Sequence, residues 1–201
     1  MIISGIDEAG RGPVLGPMVI SIFSLEKERE NEIVSIGVKD SKKITKSKRE
    51  KIFDKLINKN FKFDFVTISP EEIDSNSLNK IFIEKVIYFA KSIKTDEIFL
   101  DAPCQNKKCV EFSQRLSFLT GKKIYASNKA DEKIPVVSAS SIISKVIRDR
   151  EIEKLHKIYG DFGSGYPSDK KTINWLKRNF ELAKNEKILR NKWKLKNFIY
   201  K

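Results

Sequence analysis

The chain is poor in the residues on which several kinds of protein depend. It carries one histidine and two cysteines in 201 residues. Two cysteines exclude a disulfide-rich secreted scaffold. The Cys104-x4-Cys109 spacing with a lone His156 supplies no four-ligand zinc set. The pair reads as two thiols of a reducing cytoplasm, with a local disulfide as the alternative. Any histidine-based triad would have to run through His156, which stands among helix formers in Lys154-Leu155-His156-Lys157 and reads as a surface helix position. Long apolar runs are also missing. The longest, Pro13 to Leu25, is too short to span a membrane. Asp7 and Glu8, with no basic residue before them, break the pattern of a secretory signal. No linker-like Gly, Ser or Pro stretch and no internal repeat occurs.

Positive charge is what the chain has in excess. Forty Lys and Arg stand against 27 Asp and Glu, a formal net charge of +13. Such an excess attracts polyanions, nucleic acid first and anionic membrane surfaces second. Hydrophobic residues make up 40%, enough for a core and too many for wholesale disorder.

Short apolar runs at Met1–Ile6 and Met18–Leu25 flank a Gly/Pro-rich turn and predict neighbouring strands. Phe61, Phe63 and Phe65 alternate with Lys62 and Asp64, the period of a half-buried strand. Glu97–Leu100 and Lys123–Ala126 complete five. Helical spacing appears over Lys46–Asn58, with Thr45 as N-cap and Ile52, Phe53, Leu56 and Ile57 inward. It recurs at Phe82, Val86, Phe89, Ala90 and Ile93. Pro135 opens a helix continuing from Val136 to Leu155, and Ser168 caps Asp169–Asn179. A basic helical stretch ends the chain. Strands interleaved with helices give an α/β class with a mixed sheet.

Four carboxylates stand at strand ends or in adjoining loops, the default crevice of α/β sheets. Asp7 and Glu8 close the first strand, Asp101 closes Ile98-Phe99-Leu100, and Asp131 lies in the loop before Pro135. Each taken alone also fits a helix cap or turn former. Neighbours on a strand face opposite sides, so Asp7 and Glu8 share a site only if the strand ends or bulges there. Gathered together in a cationic protein, the four call for cations. Oxygen-only ligands suit Mg²⁺ or Mn²⁺, and two such ions about 3.5–4 Å apart can drive phosphodiester hydrolysis. Gly10-Arg11-Gly12 permits close backbone approach to a ribose or phosphate. Lys39-Asp40-Ser41-Lys42-Lys43 is a basic loop fit to grip phosphates or, equally, a solvated turn. Ser141, Lys145 and Arg148 share one helix face, opposite a core stripe of Ile142, Ile143, Val146 and Ile147.

The opening Gly5-Ile6-Asp7-Glu8-Ala9-Gly10-Arg11-Gly12-Pro13 resembles the ribonuclease HII family, the archaeal branch most closely. The resemblance extends over roughly residues 1–180 through Lys39-Asp40-Ser41-Lys42, Leu100-Asp101-Ala102-Pro103, Lys129-Ala130-Asp131 with the Pro135–Ile142 run, and Gly163-Ser164-Gly165-Tyr166. It implies a ribonuclease H-like domain over 1–180, a mixed five-stranded sheet flanked by helices, with additional C-terminal helices and a basic tail over 181–201. It implies that Asp7, Glu8, Asp101 and Asp131 are the catalytic, metal-holding carboxylates, binding two Mg²⁺ or Mn²⁺ ions during catalysis. It places Gly10, Arg11 and Gly12 on the ribonucleotide, where the 2′-hydroxyl alone separates RNA from DNA. Tyr166 would pack on the adjoining sugar, and Lys39, Ser41, Lys42, Ser141 and Lys145 would hold phosphates. The implied reaction is endonucleolytic cleavage 5′ of ribonucleotides in RNA–DNA hybrids, and of single ribonucleotides embedded in duplex DNA. It leaves 3′-hydroxyl and 5′-phosphate ends and serves replication and ribonucleotide repair in the cytoplasm. A monomer is the default.

Lys192-Trp193-Lys194-Leu195-Lys196-Asn197-Phe198-Ile199 resembles a sliding-clamp peptide, with lysine in place of its glutamine and Ile199 in place of its second aromatic. The alternative is a basic amphipathic helix that packs on the body or touches DNA. Two rival readings keep the charge. One is a nuclease of the same fold acting on junctions or transposon ends, which has no use for the Gly-Arg-Gly loop and Tyr166. The other is a non-catalytic nucleic-acid binder, which four carboxylates would weaken.

Overall fold

The computed structural model describes residues 1–38, 44–102 and 106–193. Lys39, Ser41 and Lys42, the cysteine Cys104, and residues 194–201, which include most of the clamp-like segment, lie outside these. Five strands form one mixed sheet: β1 (Ile2–Ala9), β2 (Met18–Glu26), β3 (Lys62–Ile68), β4 (Glu97–Asp101) and β5 (Lys123–Ser127), in the order β3-β2-β1-β4-β5. The first three pair antiparallel, while β4 lies parallel to β1 and β5 parallel to β4. All five predicted strands are present.

The helices are α1 (Glu30–Ile36), α2 (Lys46–Asn58), α3 (Pro70–Ser75), α4 (Leu78–Ser92), α5 (Asn106–Thr120), α6 (Ala130–Lys133), α7 (Pro135–Tyr159) and α8 (Lys170–Asn185). Thr45 caps α2 by accepting from the Lys48 amide, as its hydroxyl at that position predicts. Ser69 and Ser77 cap α3 and α4 in the same way. Two details differ from expectation. Ile57 points outward at 44% exposure, because Ile52, Phe53 and Leu56 already complete the buried stripe of α2. Asp169, not Ser168, caps α8, accepting from the Lys171 amide at 2.9 Å.

Strand alternation sorts the core into two faces. Ile3 of β1 and Val19, Phe23 and Leu25 of β2 join α1, α2 and α7 on one side. Ile6, Met18, Ile20 and Ile22 join α3, α4 and α5 on the other. Gly5 lies on the first face, where an added Cβ would sit 2.3 Å from the Val136 carbonyl carbon, so the start of α7 rests on bare backbone. Buried small residues extend that close approach. Ser21 Oγ donates to the Ser140 carbonyl at 2.8 Å, and Ser140 Oγ donates to the Ser21 carbonyl at 2.7 Å. The predicted inward stripe Ile142, Ile143, Val146 and Ile147 is buried.

A third cluster joins Val14, Leu15, Phe162, Trp175, Leu176 and Leu189 at the end of α7. Of the helical tail expected over 181–201, the described residues 186–193 are not helical. The helix ends at Asn185, and Leu189 instead forms a β-bridge with Leu15. Apolar Ile188 and Leu189 are buried there, which outweighs the helical bias of the surrounding lysines. Cys109 is disulfide-bonded, against the expectation of free thiols. Among the described residues no helix is long and apolar enough to cross a membrane.

Candidate active site

The first face delivers three carboxylates to one place. Asp7 continues the parity of Ile3 and Gly5 beneath α7. Asp101 ends β4 on the same side, with the parity of Phe99. Lys129 adopts a left-handed conformation (φ 57°) that starts α6, and the Ala130 amide donates to Asp101 Oδ1 at 3.0 Å. That bond carries the next residue, Asp131, to the site. It lies in a single helical turn where a loop was expected, 1% exposed. One oxygen of each of Asp7, Asp101 and Asp131 falls within 4.8 Å of the others.

Glu8 stands apart from this trio, although no bulge interrupts β1. Its parity is that of Ile6, so it faces the opposite side, where Arg11 Nη1 donates to its Oε1 at 2.9 Å. Arg11 Nη2 in turn reaches Asn79 of α4. Both acids still border the same cleft, at the end of β1 where its ladder with β4 stops after Ile6. The second oxygen of Glu8 is buried without a hydrogen-bond partner.

Burial, reinforced first by Glu8 and further by Asp101, pushes the Asp7 carboxyl well above the usual carboxylate range, against the Ser141 hydroxyl that bonds it. Burial likewise lifts Glu8 to about 6, with Arg11 opposing the rise. Carboxylates held this way in a dry site need either protons or cations. The donor set is all oxygen, which fits a hard divalent ion.

A cleft of about 440 Å³ holds Asp7, Glu8 and Asp101 together with Gly10, Arg11, Gly12, Lys145 and Tyr166. Thus most of the expected site residues converge. Tyr166 lies over Gly12, whose added Cβ would sit 3.5 Å from the ring, and the Arg148 guanidinium stands 5.2 Å from its centre. Gly10, at φ 86°, has Arg148 so close that a Cβ would meet its Nε at 2.4 Å. Ser141 departs from its expected place on the substrate. It is fully buried on α7 and accepts a hydrogen bond from Lys145 Nζ at 2.9 Å, so it sits behind Asp7. His156 is likewise no free surface residue: its Nε2 lies 2.9 Å from the Gly163 carbonyl and its ring meets Phe162 edge-on.

The cleft also contains Arg49, which the sequence did not mark, and Arg148, which it placed beside Ser141 and Lys145. Arg49 donates to Asp149 at 2.8 Å and to the Ile44 carbonyl at 3.0 Å. Arg148 donates to the Ser164 carbonyl at 3.2 Å. Its place on the Ser141–Lys145 face was the one available signal. The pairing of Arg49 with Asp149 bridges 100 positions and left none.

The arrangement has known counterparts. The family model for ribonuclease HII matches residues 4–196. The chain belongs to the ribonuclease HII family. A ribonuclease HII of Pyrococcus abyssi is 41% identical over 202 residues, covering 96% of this chain and 88% of the relative. The crystal structure of ribonuclease H2 from Pyrococcus horikoshii superposes with a TM-score of 0.89 at 39% identity, covering 99% and 97% of the two chains. The ribonuclease HII in a complex with PCNA from Archaeoglobus fulgidus gives 0.88 at 37% identity, covering 97% and 96%. The chain is accordingly a nuclease, a hydrolase of the ribonuclease H class, and its fold is the ribonuclease H-like mixed sheet the sequence predicts. Its acidic trio suits the divalent metal that the class requires.

Proposed function

We propose that this ribonuclease HII cuts the phosphodiester 5′ of a ribonucleotide, both in RNA–DNA hybrids and at single ribonucleotides embedded in duplex DNA, leaving 3′-hydroxyl and 5′-phosphate ends. The observation that carries this reading is one cleft in which the carboxylates adjoin the Gly10–Gly12 loop and Tyr166. A cutting centre next to a backbone able to touch a 2′-hydroxyl is what selecting one ribonucleotide requires.

Asp7, Asp101 and Asp131 would hold Mg²⁺ or Mn²⁺, with Glu8 offering its unpartnered oxygen at the rim for a second ion. Such ions supply Lewis acidity toward water and the scissile phosphate. The chain's own residues do the rest. Ser141, fixed by Lys145, orients the Asp7 carboxylate through its hydroxyl. Lys145, Arg49 and Arg148 offer positive charge to the backbone of the duplex. Gly12 brings a bare backbone to the ribose, and Tyr166 presents an exposed ring face to the adjoining sugar. Lys39, Ser41 and Lys42, outside the described residues, would add phosphate contacts.

The experiment is a labelled duplex carrying one ribonucleotide, with products sized against a ladder and their ends tested with phosphatase and ligase. Cutting on the 5′ side with ligatable ends is expected, whereas cutting on the 3′ side would overturn the reading.

For a partner, we propose a sliding clamp taken by the 192–199 segment. The relative from Archaeoglobus fulgidus is seen with PCNA, and Phe198-Ile199 supply the apolar end of such a peptide. Loss of clamp pull-down in Phe198→Ala is expected, and unchanged capture would end the idea. We propose a cytoplasmic location, which action on the genome would require; with Cys109 in a disulfide, thiol chemistry no longer argues for it.

A further inference from the structure

Behind the Gly10–Gly12 loop lies a strap that the cleavage chemistry above does not use, although its last two residues begin the clamp-like segment. Residues 188–193 run against residues 11–16. The Gly16 amide donates to the Ile188 carbonyl at 2.8 Å and the Arg190 amide to the Val14 carbonyl at 2.9 Å, on either side of the Leu15–Leu189 bridge. Two side chains then reach the loop. Arg190 donates through Nε to the Gly16 carbonyl at 2.9 Å and through Nη1 to the Arg11 carbonyl at 3.3 Å. Trp193 donates its indole N–H to the Gly12 carbonyl at 3.2 Å. The guanidinium also lies 5.3 Å from the centre of the Trp193 ring. Asp74 accepts from the Asn191 and Lys192 amides and anchors the strap's far end.

Arg190 is an odd residue to find there. It is 0% exposed, its Nη2 has no partner, and no carboxylate is paired with it among the described residues. Burial pulls its guanidinium down to about 9. Stability alone does not account for such a group, since a buried charge can often be replaced by an apolar side chain without loss. What it does hold is a carbonyl. In a planar trans peptide the C=O and the succeeding N–H point in opposite directions. Gripping the Arg11 carbonyl from behind therefore aims the Gly12 N–H away from the strap. Gly12 borders the cleft beneath Tyr166, and its N–H bonds to no other described residue. Trp193 immobilises the next carbonyl in turn.

We infer that Arg190 and Trp193 are positioning residues for ribonucleotide recognition, holding the Gly12 N–H toward the cleft as a donor for the sugar hydroxyl. This rests on the reading that the Gly10–Gly12 loop contacts the ribose. Neither residue touches the carboxylate trio, so metal binding should not depend on them.

The test compares binding of two duplexes, identical except for one embedded ribonucleotide, with Ca²⁺ replacing Mg²⁺ and gels run to exclude cleavage. The preference for the ribonucleotide duplex should fall about fivefold in Arg190→Met, the loss of one ordinary hydrogen bond. Affinity for the all-DNA duplex and Ca²⁺ binding should stay at the wild-type level. Arg190→Lys should recover part of the preference. Should Arg190→Met fail to fold, Trp193→Phe keeps an aromatic side chain and removes the indole donor, and the same loss is expected. An unchanged preference in folded variants would overturn the inference. No preference in the wild-type protein would instead overturn ribose reading by the loop.

Discussion

Replacing Glu8 by glutamine in the metal-free protein should convert a buried cost into a measurable gain. Burial lifts the Glu8 carboxyl from 4.5 to about 6, although Arg11 beside it works the other way. At about 1.4 kcal/mol per pH unit, that difference corresponds to about 2 kcal/mol. The native state holds the extra proton, so stability falls as pH rises from the unfolded value to the folded one, and the loss persists above it. Asp7 shifts in the same sense, partly because of the Glu8 charge, so removing that charge relieves Asp7 as well. For a chain of this length about 2 kcal/mol moves the melting temperature by roughly 4–8 °C. The assay is thermal unfolding in EDTA of wild type and Glu8→Gln, at about pH 8 and at about pH 4, on either side of the titration. Glu8→Gln should melt higher at the upper pH and lose that advantage at the lower one. Saturating Mg²⁺ should stabilise the wild type more than the variant, because only folded, deprotonated carboxylates bind the ion. A melting difference that does not change with pH would refute the reasoning.

Asp101→Asn keeps an oxygen to accept from the Ala130 amide while removing a charge from the trio. Cleavage should drop about a hundredfold or more, with the far-UV spectrum unchanged and Mn²⁺ affinity by calorimetry reduced. Gly5→Ala drives a methyl into the Val136 backbone and should destabilise by about 3 kcal/mol in urea unfolding. Tyr166→Ala should lower kcat/KM about tenfold, while Tyr166→Phe should leave it nearly intact, because a packed ring face is what the sugar uses. A larger loss in Tyr166→Phe would point to the hydroxyl instead.

Much of the molecule was legible because strands and sites leave local marks. Apolar runs beside a Gly/Pro turn located β1 and β2, a period-two pattern located β3, and acids at strand ends located Asp7 and Asp101. The cap of α2 was written in Thr45, whereas the cap of α8 was misplaced by one residue because Ser168 and Asp169 are both good caps. The separation of Glu8 from the trio stems from alternation alone, yet it becomes visible only once β1 is known to run unbroken to Ala9. Ser141 was assigned to substrate because its helix face was known and the depth of α7 was not. Arg190 was hidden more completely. It sits in a lysine-rich run that reads as a surface helix, and nothing local signals that Ile188 and Leu189 will pull it beneath the Gly10–Gly12 loop. Pairings such as Arg49 with Asp149, or Trp193 with Gly12, depend on chain closure over long separations and have no pattern in sequence.

The central claim is that three carboxylates beside a ribose-reading loop make this chain a metal-dependent cutter of ribonucleotides. Initial rates on a duplex with one embedded ribonucleotide, for wild type and Asp7→Asn, in Mg²⁺ and in EDTA and beside an all-DNA control, test it most directly. The account predicts cutting by the wild type in Mg²⁺ alone and none of the control. Cutting in EDTA, cutting of the all-DNA duplex, or full activity in Asp7→Asn would contradict it.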